Sequence, residues 1–93
     1  MNLKDKPFYL NDDQVNWVES TLSSMSLDEK IGQLFCVTDM ITDPDALGAF
    51  VKKYHPGGFM YRAGDAAEIQ DAQRVRQKAS RIPLLLSCHL ESG

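Results

Sequence analysis

Two kinds of hydrophobic pattern alternate along this chain. Short runs dominated by apolar residues occur at 34–38, 59–61 and 84–88, and runs of this length are typical of β-strands. Between them, apolar residues recur every three or four positions, which is the spacing of an amphipathic helix. The pattern therefore predicts the order helix, strand, helix, strand, helix, strand, with a short helical turn before the first strand.

The predicted helices begin at recognisable start signals. Asn11 is the expected N-cap of the first helix, and Ser26 opens a capping-box motif for the short turn that follows. Pro44 stands at the first position of the next helix, where its fixed backbone angle suits helix initiation. The last helix is predicted to start near residues 63–65 and to end at about Ser80.

These elements predict an α/β fold with a parallel sheet in the strand order 1-2-3, because right-handed crossovers place all helices on one side. Such an arrangement is either a minimal open sheet or the first three βα units of a (β/α)8 TIM barrel. The last strand is the most hydrophobic segment, yet no helix follows to cover it. A parallel sheet with a bare face would aggregate, so the chain is expected to be part of a larger barrel or to need a partner.

Composition excludes several classes of partner. The 93 residues are 43% hydrophobic with a net charge of -3, which favours one folded domain over disorder. The absence of a Lys/Arg block removes the electrostatic signature of nucleic-acid binding. The longest apolar run, at 82–86, is too short to cross a membrane, and the polar lead-in at 1–10 has no signal-peptide core. We therefore expect a soluble, cytoplasmic domain over 11–93, with no nucleic-acid or membrane partner.

Cys36 and Cys88 are predicted to be reduced, buried thiols. Each lies in an apolar run, and neither belongs to a C-x-x-C pair or to a cluster of metal ligands. The sequence therefore predicts no metal site and no redox role for them.

Polar and ionisable residues follow all three predicted strands. Parallel strands place their C-terminal ends at one edge of the sheet, here called the rim, where α/β proteins bind ligands. The residues expected at this rim are Asp39, Arg62, Asp65, His89 and Glu91. Asp65 is more simply explained as a helix cap and Asp39 as a turn residue. His89 and Glu91 are the leading candidates for contact with a hydroxyl-rich ligand, since strand alternation places both on one face.

These residues do not form a self-sufficient catalytic set. Two carboxylates at a suitable separation could catalyse glycoside hydrolysis. No serine lies in a G-x-S-x-G motif, which disfavours a serine nucleophile. The glycine pair at 57–58 precedes a predicted strand, whereas phosphate-binding loops follow one.

Three motifs, in the right order, resemble glycoside hydrolase family 3. The segment MSLDEKIGQL at 25–34 is similar to the family's opening M-[ST]-L-E-E-K-I-G-Q-L, and PGGFMY at 56–61 is similar to its second-strand P-G-G-[IVF]. The segment IPLLLS at 82–87, followed by ESG at 91–93, resembles the third-strand motif I-P-L-L-I-A-x-D-x-E-G-G. The resemblance covers about 11–93 and only the opening part of the family's TIM-barrel domain.

The resemblance implies part of a retaining exo-β-glycosidase, which releases a terminal β-linked sugar through a covalent intermediate and needs no cofactor. The β-N-acetylglucosaminidase branch is the most similar, with β-glucosidases next. The family's Asp nucleophile and general acid/base lie beyond the residues of this sequence, so the chain alone is expected to be inactive. The resemblance places His89 and Glu91 in the sugar subsite, with Arg62 and Asp39 as neighbours.

One departure from the family motif concerns the expected sugar contact. His89 stands where the family usually has a sugar-binding Asp, and Ser92 replaces the first Gly of the closing pair. A carboxylate accepts hydrogen bonds from sugar hydroxyls, whereas a neutral imidazole offers one donor and one acceptor. The motif therefore does not specify which sugar is preferred. One alternative to an active glycosidase is a protein that still binds sugar but no longer turns it over. Another is a non-catalytic α/β module that completes its sheet by self-association or with a partner chain.

Overall fold

The computed structural model describes residues 2–38, 41–89 and 91. Within this part of the chain the elements, in order, are α1 (Asp12–Ser24), α2 (Leu27–Gly32), β1 (Cys36–Val37), α3 (Pro44–Tyr54), β2 (Gly58–Tyr61), α4 (Ala66–Ala79) and β3 (Leu85–Cys88). This order of helices and strands is the one that the hydrophobic pattern predicts. None of the helices in the described ranges is long and apolar enough to span a bilayer.

The helices begin where the start signals predict. At α1, Asn11 Oδ1 accepts from the Gln14 N–H and Gln14 Oε1 accepts from the Asn11 N–H, each at 2.9 Å. Ser26 and Glu29 form the same reciprocal pair at the start of α2. Pro44 occupies the first turn of α3. Each capping box satisfies backbone donors that a helix start would otherwise leave unpaired.

The three strands form one parallel sheet in the order β1-β2-β3, as predicted. Cys36 is in register with Gly58, and Gly58 is in register with Leu85. Because side chains alternate along a strand, these three residues share one face of the sheet, and Phe59 lies on the opposite face. We call the first the open face and the second the helix face.

The hydrophobic core lies between the helix face and the helices α3 and α4. Val51, Phe59 and Leu84 are buried there, and Phe50 and Ala79 pack against them. The two helices also contact each other. The described part of the chain therefore has one layer of helices on one face of the sheet, which positions the strand ends without covering the open face.

Two of the predictions are wrong. The pattern predicts a strand over 34–38, but only Cys36–Val37 is strand, and Leu34 and Phe35 are 84% and 60% exposed. Cys36 is an exposed thiol and Cys88 a partly buried one, whereas both were expected to be buried. β1 is an edge strand, and no described element covers the open face, on which Cys36 lies. Cys88 lies on the helix face at the end of the other edge strand, β3.

Two of the sequence motifs meet in a tight junction between α2, α3 and the start of β2. Gln33 Nε2 donates to the carbonyl of His55 at 3.0 Å, and the Gly57 N–H donates to the carbonyls of Gly32 and Phe35 at 3.1 and 3.0 Å. A Cβ at Gly32 would overlap the carbonyl of His55, and one at Gly57 would overlap the carbonyl of Gln33. The glycines of the IGQL and PGG motifs are thus needed because two stretches of backbone are in direct contact.

Candidate functional site

The C-terminal ends of the strands lie at one edge of the sheet, since all three strands are parallel. Arg62 directly follows β2 and His89 directly follows β3. Asp65 is the N-cap of α4, where its Oδ1 accepts from the N–H groups of Ala67 and Glu68 at 2.9 and 3.3 Å. Its capping role agrees with the simpler interpretation of this residue. Asp39, also expected at the rim, lies outside the described residues.

His89 and Glu91 form a hydrogen-bonded pair at the end of β3. The distance from His89 Nδ1 to Glu91 Oε1 is 2.8 Å, and both side chains are largely exposed, at 70% and 74%. The bond with His89 lowers the pKa of Glu91 below its usual value, because a hydrogen bond to the carboxylate favours its ionised form. The structure therefore brings together the two residues that the sequence analysis ranks first.

Arg62 belongs to a second feature of the rim. A cavity of about 450 Å³ lies between α3 and α4 on the helix side of β2. Arg62, Glu68, Asp71 and Arg76 contribute charged groups to its lining, together with Tyr61. The residues that line this cavity do not include His89 or Glu91. Arg62 and the His89–Glu91 pair are thus neighbours along the rim but belong to different local surfaces.

The open face below the rim holds a polar contact that the sequence analysis missed. Cys36 Sγ and Ser87 Oγ lie 3.9 Å apart, one from β1 and one from β3. Gly58, the register partner of Cys36, has no side chain on this face, whereas Ser87 is in register with Met60, two residues further along β2. Counting back from His89 in steps of two assigns Ser87 to the same face, so strand alternation was the signal that could have identified it.

On the helix face, Tyr61 and Cys88 are register partners at the ends of β2 and β3. A hydrogen bond with Cys88 raises the pKa of the Tyr61 hydroxyl, because it favours the protonated phenol. Among the described residues, no group of three or more His, Cys, Asp or Glu side chains could hold a metal ion.

A search of protein-family profiles finds no match to this chain. A curated protein from Cellulomonas fimi, named β-N-acetylglucosaminidase/β-glucosidase, is 41% identical over 93 residues, which are 100% of this chain and 16% of that protein. The chain thus spans about one sixth of the length of this relative.

Two solved structures are similar to the fold of this chain. One, named β-glucoside phosphorylase BglX, has a TM-score of 0.80 and 41% identity, covering 98% of this chain and 15% of its own. The other, named β-glucoside phosphorylase BglX bound to 2FGlc, has a TM-score of 0.79 and 42% identity, with 98% and 16% covered. These comparisons confirm the resemblance that the three motifs indicate, and they place this chain beside a small part of much longer proteins.

Proposed function

We propose that this chain is the N-terminal part of a glycoside hydrolase family 3 enzyme that acts on terminal β-linked sugars, of the β-N-acetylglucosaminidase or β-glucosidase type. The observation that carries the proposal is the 41% identity along all 93 residues to a protein of that name. The parallel β1-β2-β3 sheet supports it, because it is the arrangement of the first three βα units of a (β/α)8 barrel. Residues 11–93 would then be a partial barrel domain and 1–10 its lead-in.

The sugar subsite in this proposal lies at the end of β3. His89 and Glu91 are exposed there, and both can exchange hydrogen bonds with hydroxyl groups. Arg62 follows the neighbouring strand and adds donors beside them, and Asp39 is the fourth residue assigned to the subsite. Ligand binding at the C-terminal ends of barrel strands is the general rule for this architecture.

The proposed reaction is a retaining displacement. A carboxylate attacks the anomeric carbon as the glycosidic C–O bond breaks and a general acid protonates the leaving oxygen, which gives a glycosyl–enzyme intermediate. Water, deprotonated by the same acid/base residue, then displaces the carboxylate and releases the sugar with its configuration retained. The nucleophile and the general acid/base would come from the remainder of the barrel, so the 93 residues alone should not turn over a glycoside. The remainder of the barrel is in this sense the main partner of the chain.

Phosphorolysis is a second candidate, because both solved relatives are named β-glucoside phosphorylases. In that reaction, inorganic phosphate in place of water would accept the glycosyl group, and the product would be a sugar phosphate. Both reactions use the same β-linked substrate and the same first displacement. The acceptor that completes the cycle distinguishes them.

The test measures release of p-nitrophenol from β-N-acetylglucosaminide and β-glucoside substrates by the intact protein that contains this chain, with and without inorganic phosphate. Turnover without phosphate supports the glycosidase, and turnover that requires phosphate and yields a sugar phosphate supports the phosphorylase. No turnover of any β-glycoside under either condition contradicts the proposal. The 93-residue chain alone, measured in parallel, should give only the background rate.

The non-catalytic alternative also has an observation in its favour. Leu85 is 80% exposed on the open face, where another chain could pack. A domain that buries this face against a copy of itself would be a stable oligomer. Sedimentation and hydrogen exchange of the 93-residue chain distinguish the two views. A defined dimer whose β3 amides are protected from exchange would favour the module over the barrel fragment.

A further inference from the structure

The His89–Glu91 pair specifies which nitrogen of the imidazole faces the ligand. Glu91 Oε1 lies 2.8 Å from Nδ1 of His89, and an ionised carboxylate can only accept a hydrogen bond. The proton in this contact must therefore be on Nδ1. In the neutral imidazole, Nε2 then carries the lone pair, because the ring holds only one proton.

We infer that Glu91 is a positioning residue that holds neutral His89 in its Nδ1–H form and thereby presents Nε2 to the ligand as a hydrogen-bond acceptor. The inference rests on the proposed function for the identity of the ligand, which is a sugar hydroxyl that donates to Nε2. Glu91 in this account acts through His89 and makes no required contact with the sugar.

Three observations support this division of roles. The pKa of Glu91 is held below its usual value by the hydrogen bond from His89, so the carboxylate remains an acceptor across the neutral range. Both side chains are largely exposed, which leaves Nε2 accessible to a ligand. His89 also has the same alternation as Ser87, so it extends the line of residues on the open face, where a barrel interior would lie.

The inference explains how His89 can replace an acidic residue at this position. A carboxylate is an acceptor only. In a histidine with no preference between its two neutral forms, Nε2 is a donor as often as an acceptor. By accepting from Nδ1–H, Glu91 gives the imidazole a fixed, uncharged hydrogen-bond acceptor at Nε2. Such a site favours ligands with a hydroxyl at the contacting carbon over deoxy or fluoro analogues, which cannot donate.

The test determines the protonated ring nitrogen of His89 by ¹⁵N NMR on the full 93-residue chain, without sugar, at a pH above the titration of histidine. His55 and His89 are the histidines of the sequence, so His55 is an internal control in every sample. We expect the Nδ1–H form of His89 to predominate. Glu91→Ala should shift the ratio of the two forms by about fivefold towards Nε2–H, the size expected for one exposed hydrogen bond.

Glu91→Gln is the conservative variant, because its Oε1 can still accept from Nδ1–H, and it should retain most of the wild-type ratio. Unchanged His55 signals show that the fold is intact in each variant. The inference is overturned if wild-type His89 is mainly Nε2–H, or if Glu91→Ala leaves the ratio unchanged. Because no sugar is present, such a result counts against the positioning role alone, whereas the glycosidase proposal fails only if the intact protein has no activity on β-glycosides.

Discussion

Cys36 Sγ lies 3.9 Å from Ser87 Oγ, although the two residues belong to strands that are not neighbours in the sheet. Strands separated by one intervening strand are about 9–10 Å apart, so side chains on them meet only when the residue between them is very small. Gly58, the register partner of Cys36, has no side chain on this face, and the contact runs diagonally to Ser87, which is in register with Met60. The two glycines of the PGG motif thus have separate roles, Gly57 in the tight junction before β2 and Gly58 on the open face.

Replacing Gly58 should destabilise the pairing of β2 with β3. A Cβ at this position would lie 2.6 Å from the carbonyl oxygen of Leu85, which is too close unless the strands separate. We expect Gly58→Ala to lower the free energy of unfolding by about 1–3 kcal/mol, the usual cost of an overpacked position. Urea denaturation measures the change.

Gly64→Ala is the matched control for Gly58→Ala. Its Cβ would be 3.6 Å from the side chain of Ile69, an ordinary van der Waals distance. Its urea midpoint should stay close to that of the wild type. Equal midpoints for the two variants would show that the strands accommodate a methyl group at Gly58.

Gln77 should be important for stability because its side chain pairs with the backbone of Leu84, the residue that precedes the edge strand β3. It donates to the carbonyl of Leu84 and accepts from the N–H of Leu84, both at 2.9 Å. Gln77→Ala removes both bonds and leaves two partly buried backbone groups unpaired, which should cost about 2 kcal/mol of unfolding free energy.

Gln70→Ala on the same helix provides the comparison, because Gln70 Oε1 accepts from Arg74 on the exposed surface. This variant should change the unfolding free energy by about 0.5 kcal/mol or less. The account of β3 is wrong if the two glutamine variants are equally stable in chemical denaturation.

The pattern of local and non-local features explains what the sequence alone could predict. The caps at Asn11 and Ser26 depend on residues three positions away, so their motifs were sufficient to place them. The strand order follows from the alternation of strands and helices, which is also visible in the sequence. The exposure of Phe35 could not be predicted, because an apolar run does not reveal whether another element covers it.

The candidate site shows the same limit. Strand alternation placed His89 and Glu91 on one face, but it could not show that they bind each other rather than a ligand. The contact of Cys36 with Ser87 required the register of three strands, which depends on residues more than fifty positions apart. Local chemistry was thus predictable, whereas contacts set by register and by covering elements were not.

Acidification should weaken the start of α2. Glu29 accepts from the N–H of Ser26 at 2.8 Å, and this bond, with a smaller effect of the positive charge on Arg81, lowers the pKa of Glu29 below 4.5. A carboxyl group with a lowered pKa in the folded state stabilises the fold above its unfolded value of 4.5. That contribution is lost as the pH falls through the folded-state pKa.

The measurement is the unfolding free energy as a function of pH for the wild type and for Glu29→Gln. The variant should lose less stability than the wild type below pH 4.5. Glu19→Gln, which removes an exposed carboxylate from α1, controls for the change in net charge. Parallel pH curves for the wild type and Glu29→Gln would contradict the assigned role of this bond.

His89→Ala in the intact protein should reduce kcat/KM for β-glycosides by about tenfold or more, since it removes a hydrogen bond to the substrate. Lys78→Ala on the exposed surface of α4 should leave the kinetics unchanged and controls for general effects of substitution. A His89→Ala enzyme with wild-type kcat/KM would remove His89 from the subsite.

The most direct test of the central claim is a crystal structure of the intact protein with a bound β-glycoside analogue. The account predicts that β1, β2 and β3 are consecutive strands of a closed eight-stranded barrel, and that Nε2 of His89 lies within hydrogen-bonding distance of a sugar hydroxyl. An open sheet completed by a second copy of the chain, or a sugar bound away from the ends of these strands, would contradict it.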